Sequence, residues 1–77
     1  MSPSERAARN FTRTRGKAAF RLFIQMLCEK QSGTDIGKQF GVSRERVRQW
    51  KEIFGTTISI YQPHAEVMRV IGGGNGH

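Results

Sequence analysis

Arg44, Glu45, Arg46, Arg48 and Gln49 fall within six consecutive residues, and each carries a group that bonds in a directed way. A guanidinium fork matches a pair of acceptors such as those on guanine, and a carboxamide matches the donor and acceptor of adenine. A carboxylate accepts from the cytosine amino group or orients a neighbouring Arg. These are side chains for reading surfaces rather than for breaking bonds. The chain shows no nucleophile beside a base, no acid pair on one face and no phosphate loop ahead of a Lys. At 77 residues it is also too short to enclose a substrate, so an enzyme is not expected.

Cys28 is the single cysteine and His64 and His77 are the two histidines, so neither a disulfide nor a structural zinc is expected, nor any cofactor. Cys28 reads as a partly buried small apolar residue, and His64 as a surface residue.

The elements that would position the directed side chains follow from period and caps. Phe20, Phe23, Ile24 and Leu27 recur at i, i+3, i+4 and i+7, widened by Ala19, Leu22 and Met26, which predicts a helix from Lys17 to about Glu29. Gln31, Ser32 and Gly33 break the period. Thr34 then supplies an N-cap hydroxyl and Asp35 an acid for a short helix over 35–40, which Gly41 ends. Ser43 is a second N-cap, and a helix from Arg44 to Phe54 stops at Gly55. With Val47 and Trp50 turned inward, 100 degrees per residue sends Arg44, Glu45, Arg46, Arg48 and Gln49 to the outside or the rim. Phe20, Phe23 and Phe40 read as core, whereas Phe11 has no evident place.

Ile36, Gly37, Phe40, Gly41, Val42, Val47 and Trp50 meet in order the demands of a helix-turn-helix: an apolar then a small residue in the first helix, Gly in the turn, and apolar anchors in the second. The run IGKQFGVSRERVRQW, Ile36 to Trp50, resembles the helix-turn-helix in region 4 of bacterial sigma-70-type factors, where a similar GVSRERVRQ stretch reads a promoter element. The resemblance covers about one fifth of the chain. It implies DNA contacts from Arg44, Glu45, Arg46, Arg48 and Gln49, and it supports DNA reading rather than initiation as such.

Composition agrees with a polyanionic partner. The formal net charge is +7 and the pI about 10.9, with 36% hydrophobic residues and no apolar run of membrane-spanning length. A soluble, cytoplasmic protein is expected. Residues 1 to 21 hold six bases against Glu5 alone, a net of +5, and the other 56 residues carry +2. Because an apolar period starts only near Ala18, residues 1–16 read as a flexible basic arm that follows phosphates or enters a minor groove, and its removal is expected to leave stability unchanged. Arg13, Arg15 and Lys17 join the DNA-contacting set, as do Ser43 and Thr34 at their helix N-termini.

After Gly55 the pattern changes. Thr56 to Tyr61 alternates as a short strand, and Pro63 opens a fourth helix with Val67, Val70 and Ile71 on one face and Gly72 as its stop. The competing reading pairs 58–61 with 67–71 as a hairpin. The tail 72–77 has nothing to bury and is expected to be disordered.

The fold class expected is therefore mainly α: a trihelical helix-turn-helix core over 17–55 with a short strand and fourth helix over 56–71. Ile58, Ile60, Val67, Met68, Val70 and Ile71 form the expected homodimer face, since a lone strand leaves its edge unpaired. The function expected is a transcriptional regulator, in the first instance a dimeric repressor on an operator. The alternatives are a DNA-recognition subunit of a packaging or recombination machine, or a sigma-like adaptor touching RNA polymerase.

Overall fold

Residues 2–57 and 60–72 are described by the structure, a computed structural model. They form α1 (Pro3–Arg15), α2 (Lys17–Cys28), α3 (Gly33–Phe40) and α4 (Arg44–Phe54), then strands β1 (Gly55–Thr57) and β2 (Tyr61–Pro63), and finally α5 (Ala65–Gly72). The architecture is mainly helical with one small antiparallel sheet. No described helix is long and apolar enough to cross a membrane.

The N-terminal segment departs most from the sequence expectation: residues 3–15 are a packed helix, not a flexible arm. Ser2 caps it, its Oγ accepting from the Glu5 N–H at 3.1 Å, and Pro3 brings a preset φ to the first turn. Glu5 lies at the positive end of the helix dipole and Arg13 and Arg15 at the negative end. The buried edge is narrow, consisting of Ser4, Ala8 and Phe11 at i, i+4 and i+7. That edge carries a single large apolar side chain, and the other positions look polar enough for an arm.

Phe11 is nevertheless the centre of the core. Its ring lies 4.9 Å from that of Trp50, 5.1 Å from Phe20 and 5.3 Å from Phe23, with Phe40 and Phe54 just beyond. Phe20, Phe23 and Phe54 are wholly buried, while Trp50 and Phe40 are half-buried against the cluster. Tilted and edge-on rings at such distances add to the apolar area that each removes from water.

The C-terminal tract closes this core from the other side. β1 pairs antiparallel with β2 in the register Gly55↔Pro63, Thr56↔Gln62 and Thr57↔Tyr61, so the expected single strand over 56–61 is a hairpin, and its pairing lies within the chain. The alternative hairpin of 58–61 with 67–71 is not formed: α5 covers 65–72. Pro63 belongs to β2 rather than opening the helix, and the His64 carbonyl accepts from the Val67 and Met68 N–H groups at the start of α5. Tyr61 is buried, its hydroxyl donating to the Lys51 carbonyl at 2.8 Å, and this burial pushes its pKa up.

These contacts draw part of the expected dimer face into the chain itself. Val67 is fully buried in the chain's own core, and Val70 and Ile71 are half-buried against it because α5 packs on α1 and α2. Ile60 and Met68 are exposed, whereas Ile58 lies outside the described residues. Gly72 is the last residue of α5 rather than its stop, and residues 73–77 of the expected disordered tail also lie outside the described residues. Cys28 is exposed as a residue, but its thiol donates to the Tyr61 carbonyl at 3.6 Å, and partial burial there is the larger cause raising its pKa, with Glu29 second.

Candidate nucleic-acid interface

α3 and α4 meet across a tight turn. Ser32, not Thr34, caps α3: its hydroxyl accepts from the Asp35 N–H at 3.0 Å, so the helix begins at Gly33, two residues earlier than expected. At the other end Gly41 takes the left-handed conformation with φ 70°, where a Cβ would be strained, and the Val42 N–H donates back to the Gly37 carbonyl at 2.9 Å. Gly37 is buried at the crossing. A Cβ placed on it would stand 2.6 Å from the Val42 carbonyl oxygen, so the chain after the turn lies directly against this backbone.

Ser43 caps α4, its hydroxyl accepting from the Arg46 N–H at 3.1 Å. Val47 and Phe54 are the buried residues of α4, and Trp50 is half-buried. The orientation is thereby set: Ser43, Arg44, Glu45, Arg46, Arg48 and Gln49 are all exposed. Those six candidates share one solvent-facing end of α4.

The two flanks of that end differ in charge. On one flank Arg48 is claimed by two acids of its own helix. Its Nε donates to Glu45 Oε1 at 3.1 Å, its Nη2 to Glu45 Oε2, and its Nη1 to Glu52 Oε2 at 2.8 Å. The hydrogen bond from Arg48 is the main cause holding the Glu45 carboxyl below the usual range, and Glu45 in turn raises the Arg48 guanidinium above its ordinary value. All three side chains are exposed, so these pairs order the surface more than they stabilise the fold.

On the other flank the cations meet aromatic rings rather than acids. Arg46 and Arg15 lie 5.7 and 5.6 Å from the Trp50 ring centre, and Arg15 is also 5.7 Å from that of Phe11. Arg15 Nη1 donates to the Phe40 carbonyl at 3.0 Å, at the negative end of the α3 dipole. Among the described residues no ion pair involves Arg15, Arg44 or Arg46.

The remaining candidates are more scattered. Arg13 is exposed on α1, close to the groove between α1 and α4 through its 2.6 Å hydrogen bond to Asn10 Oδ1. Lys17 is exposed at the start of α2 and Thr34 in the first turn of α3, and neither lines the grooves flanking α4. Trp50 and Asn10 were not among the sequence candidates for the site, yet both line the α1–α4 groove. The helical nature of α1 had a signal in the sequence: Ser2-Pro3-Ser4-Glu5 carries a capping hydroxyl, a proline at the first helical position and an acid three residues after the cap.

Comparison of the chain with protein-family models, curated proteins and solved structures returns no match.

Proposed function

We propose that this protein is a sequence-specific double-stranded DNA-binding regulator that lays the N-terminal half of α4 in the major groove. The observation that carries the reading is the close approach at Gly37, which holds α3 against the turn into α4 and supports a helix-turn-helix. Val47 and Trp50 then give α4 a fixed roll, and Arg44, Glu45, Arg46, Arg48 and Gln49 are left facing solvent.

Within that set the roles divide by company. Arg44 and Arg46, outside any described ion pair, are the side chains for guanine edges or phosphates, and Gln49 suits adenine. Glu45 and Arg48 act as a coupled unit, in which Glu45 aims the guanidinium or accepts from cytosine. Binding of this kind at an operator excludes polymerase, which makes the protein a repressor. One α4 per chain reads one half-site, so the reading does not depend on the dimer face expected over 56–71.

Enrichment of a duplex from a randomised library by the full chain tests this. A defined motif is expected, with Arg44→Ala losing about 1 to 3 kcal/mol on the enriched duplex and far less on scrambled DNA. A library that yields no enriched sequence, or an equal loss on both duplexes, overturns base reading.

A further inference from the structure

The groove between α1 and α4 holds more cationic surface than a reading helix requires. Its walls include Asn10, Thr14 and Arg15 from α1 and Arg46, Gln49 and Trp50 from α4, and no carboxylate lines it. On α1, Arg6, Asn10 and Arg13 recur at i, i+4 and i+7 as one exposed stripe, which lines a second concavity that adjoins the groove through the shared Ala7 and Asn10. The hydrogen bond from Arg13 Nη2 to Asn10 Oδ1 keeps that guanidinium at the mouth. Arg9 lines the same concavity, but its charge is matched by Glu5 at 3.0 Å. Among the described residues Arg6, Arg13, Arg15 and Arg46 take part in no ion pair.

We infer that the α1–α4 groove is a phosphate track: one DNA strand's backbone runs along it, contacting Arg6 and Arg13 in the adjoining concavity and Arg46 on the α4 wall, while α4 reads the adjacent major groove. This rests on the DNA-binding reading above and extends it to a second surface. The occupant follows from charge complementarity, since a file of acid-free guanidiniums suits a linear polyanion. Trp50 holds Arg15 and Arg46 by their faces, and helical α1 fixes the spacing of Arg6 and Arg13. Less freedom is then lost on binding than by a flexible arm of the same composition.

The test is the salt dependence of affinity, read by fluorescence anisotropy of the full chain with a labelled mixed-sequence duplex over a potassium chloride series. Arg6→Ala/Arg13→Ala should flatten the slope of log K against log salt by about 1.8, twice the roughly 0.9 per phosphate contact. The acid-paired Arg9→Ala should leave the slope unchanged, and both variants should keep the wild-type melting curve, since the altered side chains are exposed. A double variant with the wild-type slope, while Arg44→Ala/Arg46→Ala loses binding, overturns the track and leaves α4 as the reading element. Equal flattening by Arg9→Ala also overturns it, in favour of undirected charge. A wild-type chain that binds no duplex overturns both readings.

Discussion

α1 and α4 are both short basic helices with a narrow apolar edge, yet their cations keep different company. On α4 the acids Glu45 and Glu52 flank Arg48 and neutralise it from both sides, leaving Arg44, Arg46 and Lys51 outside the ion pairs of the described residues. On α1 the single acid Glu5 takes Arg9, and Arg6, Arg13 and Arg15 face outward or onto aromatic rings. Interleaved acids make a surface selective, because a misplaced base edge or phosphate meets a carboxylate. An acid-poor stripe attracts any polyanion and selects none. The apolar edges also differ in kind: α4 is anchored by Val47 and Phe54 and α1 by Phe11 almost alone, so one residue carries most of α1's docking.

That dependence can be broken directly. Phe11→Ala removes the ring at the centre of five others and should cost about 3 to 5 kcal/mol in urea unfolding, the range for truncating a buried Phe. Unchanged stability would restore the flexible arm and end the comparison.

A smaller effect is expected where α4 is hinged to its partner helix. Gly37→Ala adds a methyl 2.6 Å from the Val42 carbonyl and should cost about 1 to 3 kcal/mol, with the gain in helix propensity offsetting part of it. Because the turn must open, duplex affinity should fall along with stability. Binding unchanged beside a lowered melting temperature would mean that α4 reads DNA independently of α3.

The smallest change concerns the tie between α1 and α5. Buried Ser4 donates to Glu66 Oε2 at 2.6 Å, and this hydrogen bond is the main cause holding the Glu66 carboxyl below its ordinary value of 4.5. A carboxyl depressed in the folded state contributes stability that is present above pH 4.5 and is lost as pH falls through the lowered value. Ser4→Ala should therefore lower the melting temperature slightly at neutral pH and reduce the acid dependence below pH 4.5. Parallel pH profiles for wild type and variant would remove Glu66 from the account of α1 docking.

Legibility in the sequence followed the density of local signal. The ranges of α2 and α4 and the stop at Gly41 were readable because strong apolar periods coincide with caps. Ser43 and the outward roll of Arg44 to Gln49 followed from the same period, with Val47 as the inward anchor. The start of α3 slipped by two residues because Ser32 and Thr34 are both plausible caps, and in the fold it is the Ser32 hydroxyl that takes a helical N–H, that of Asp35. α1 was missed for a different reason: its period rests on Ala8 and Phe11, too little apolar weight to outvote four arginines, although its cap signature was present.

What the sequence determined by itself is the chemistry of the exposed end of α4 and the close turn ahead of it, since both depend on residue type over a few positions. Tertiary structure alone decided where the unassigned aromatic ring and the C-terminal apolar residues go. Phe11 reaches Phe20, Phe23 and Trp50, and Val67 joins the core rather than a partner's surface, because burying them is worth more inside this chain than local periodicity can register. The same packing lays Arg15 of α1 beside Arg46, a neighbourhood between residues more than thirty positions apart that no local pattern specifies.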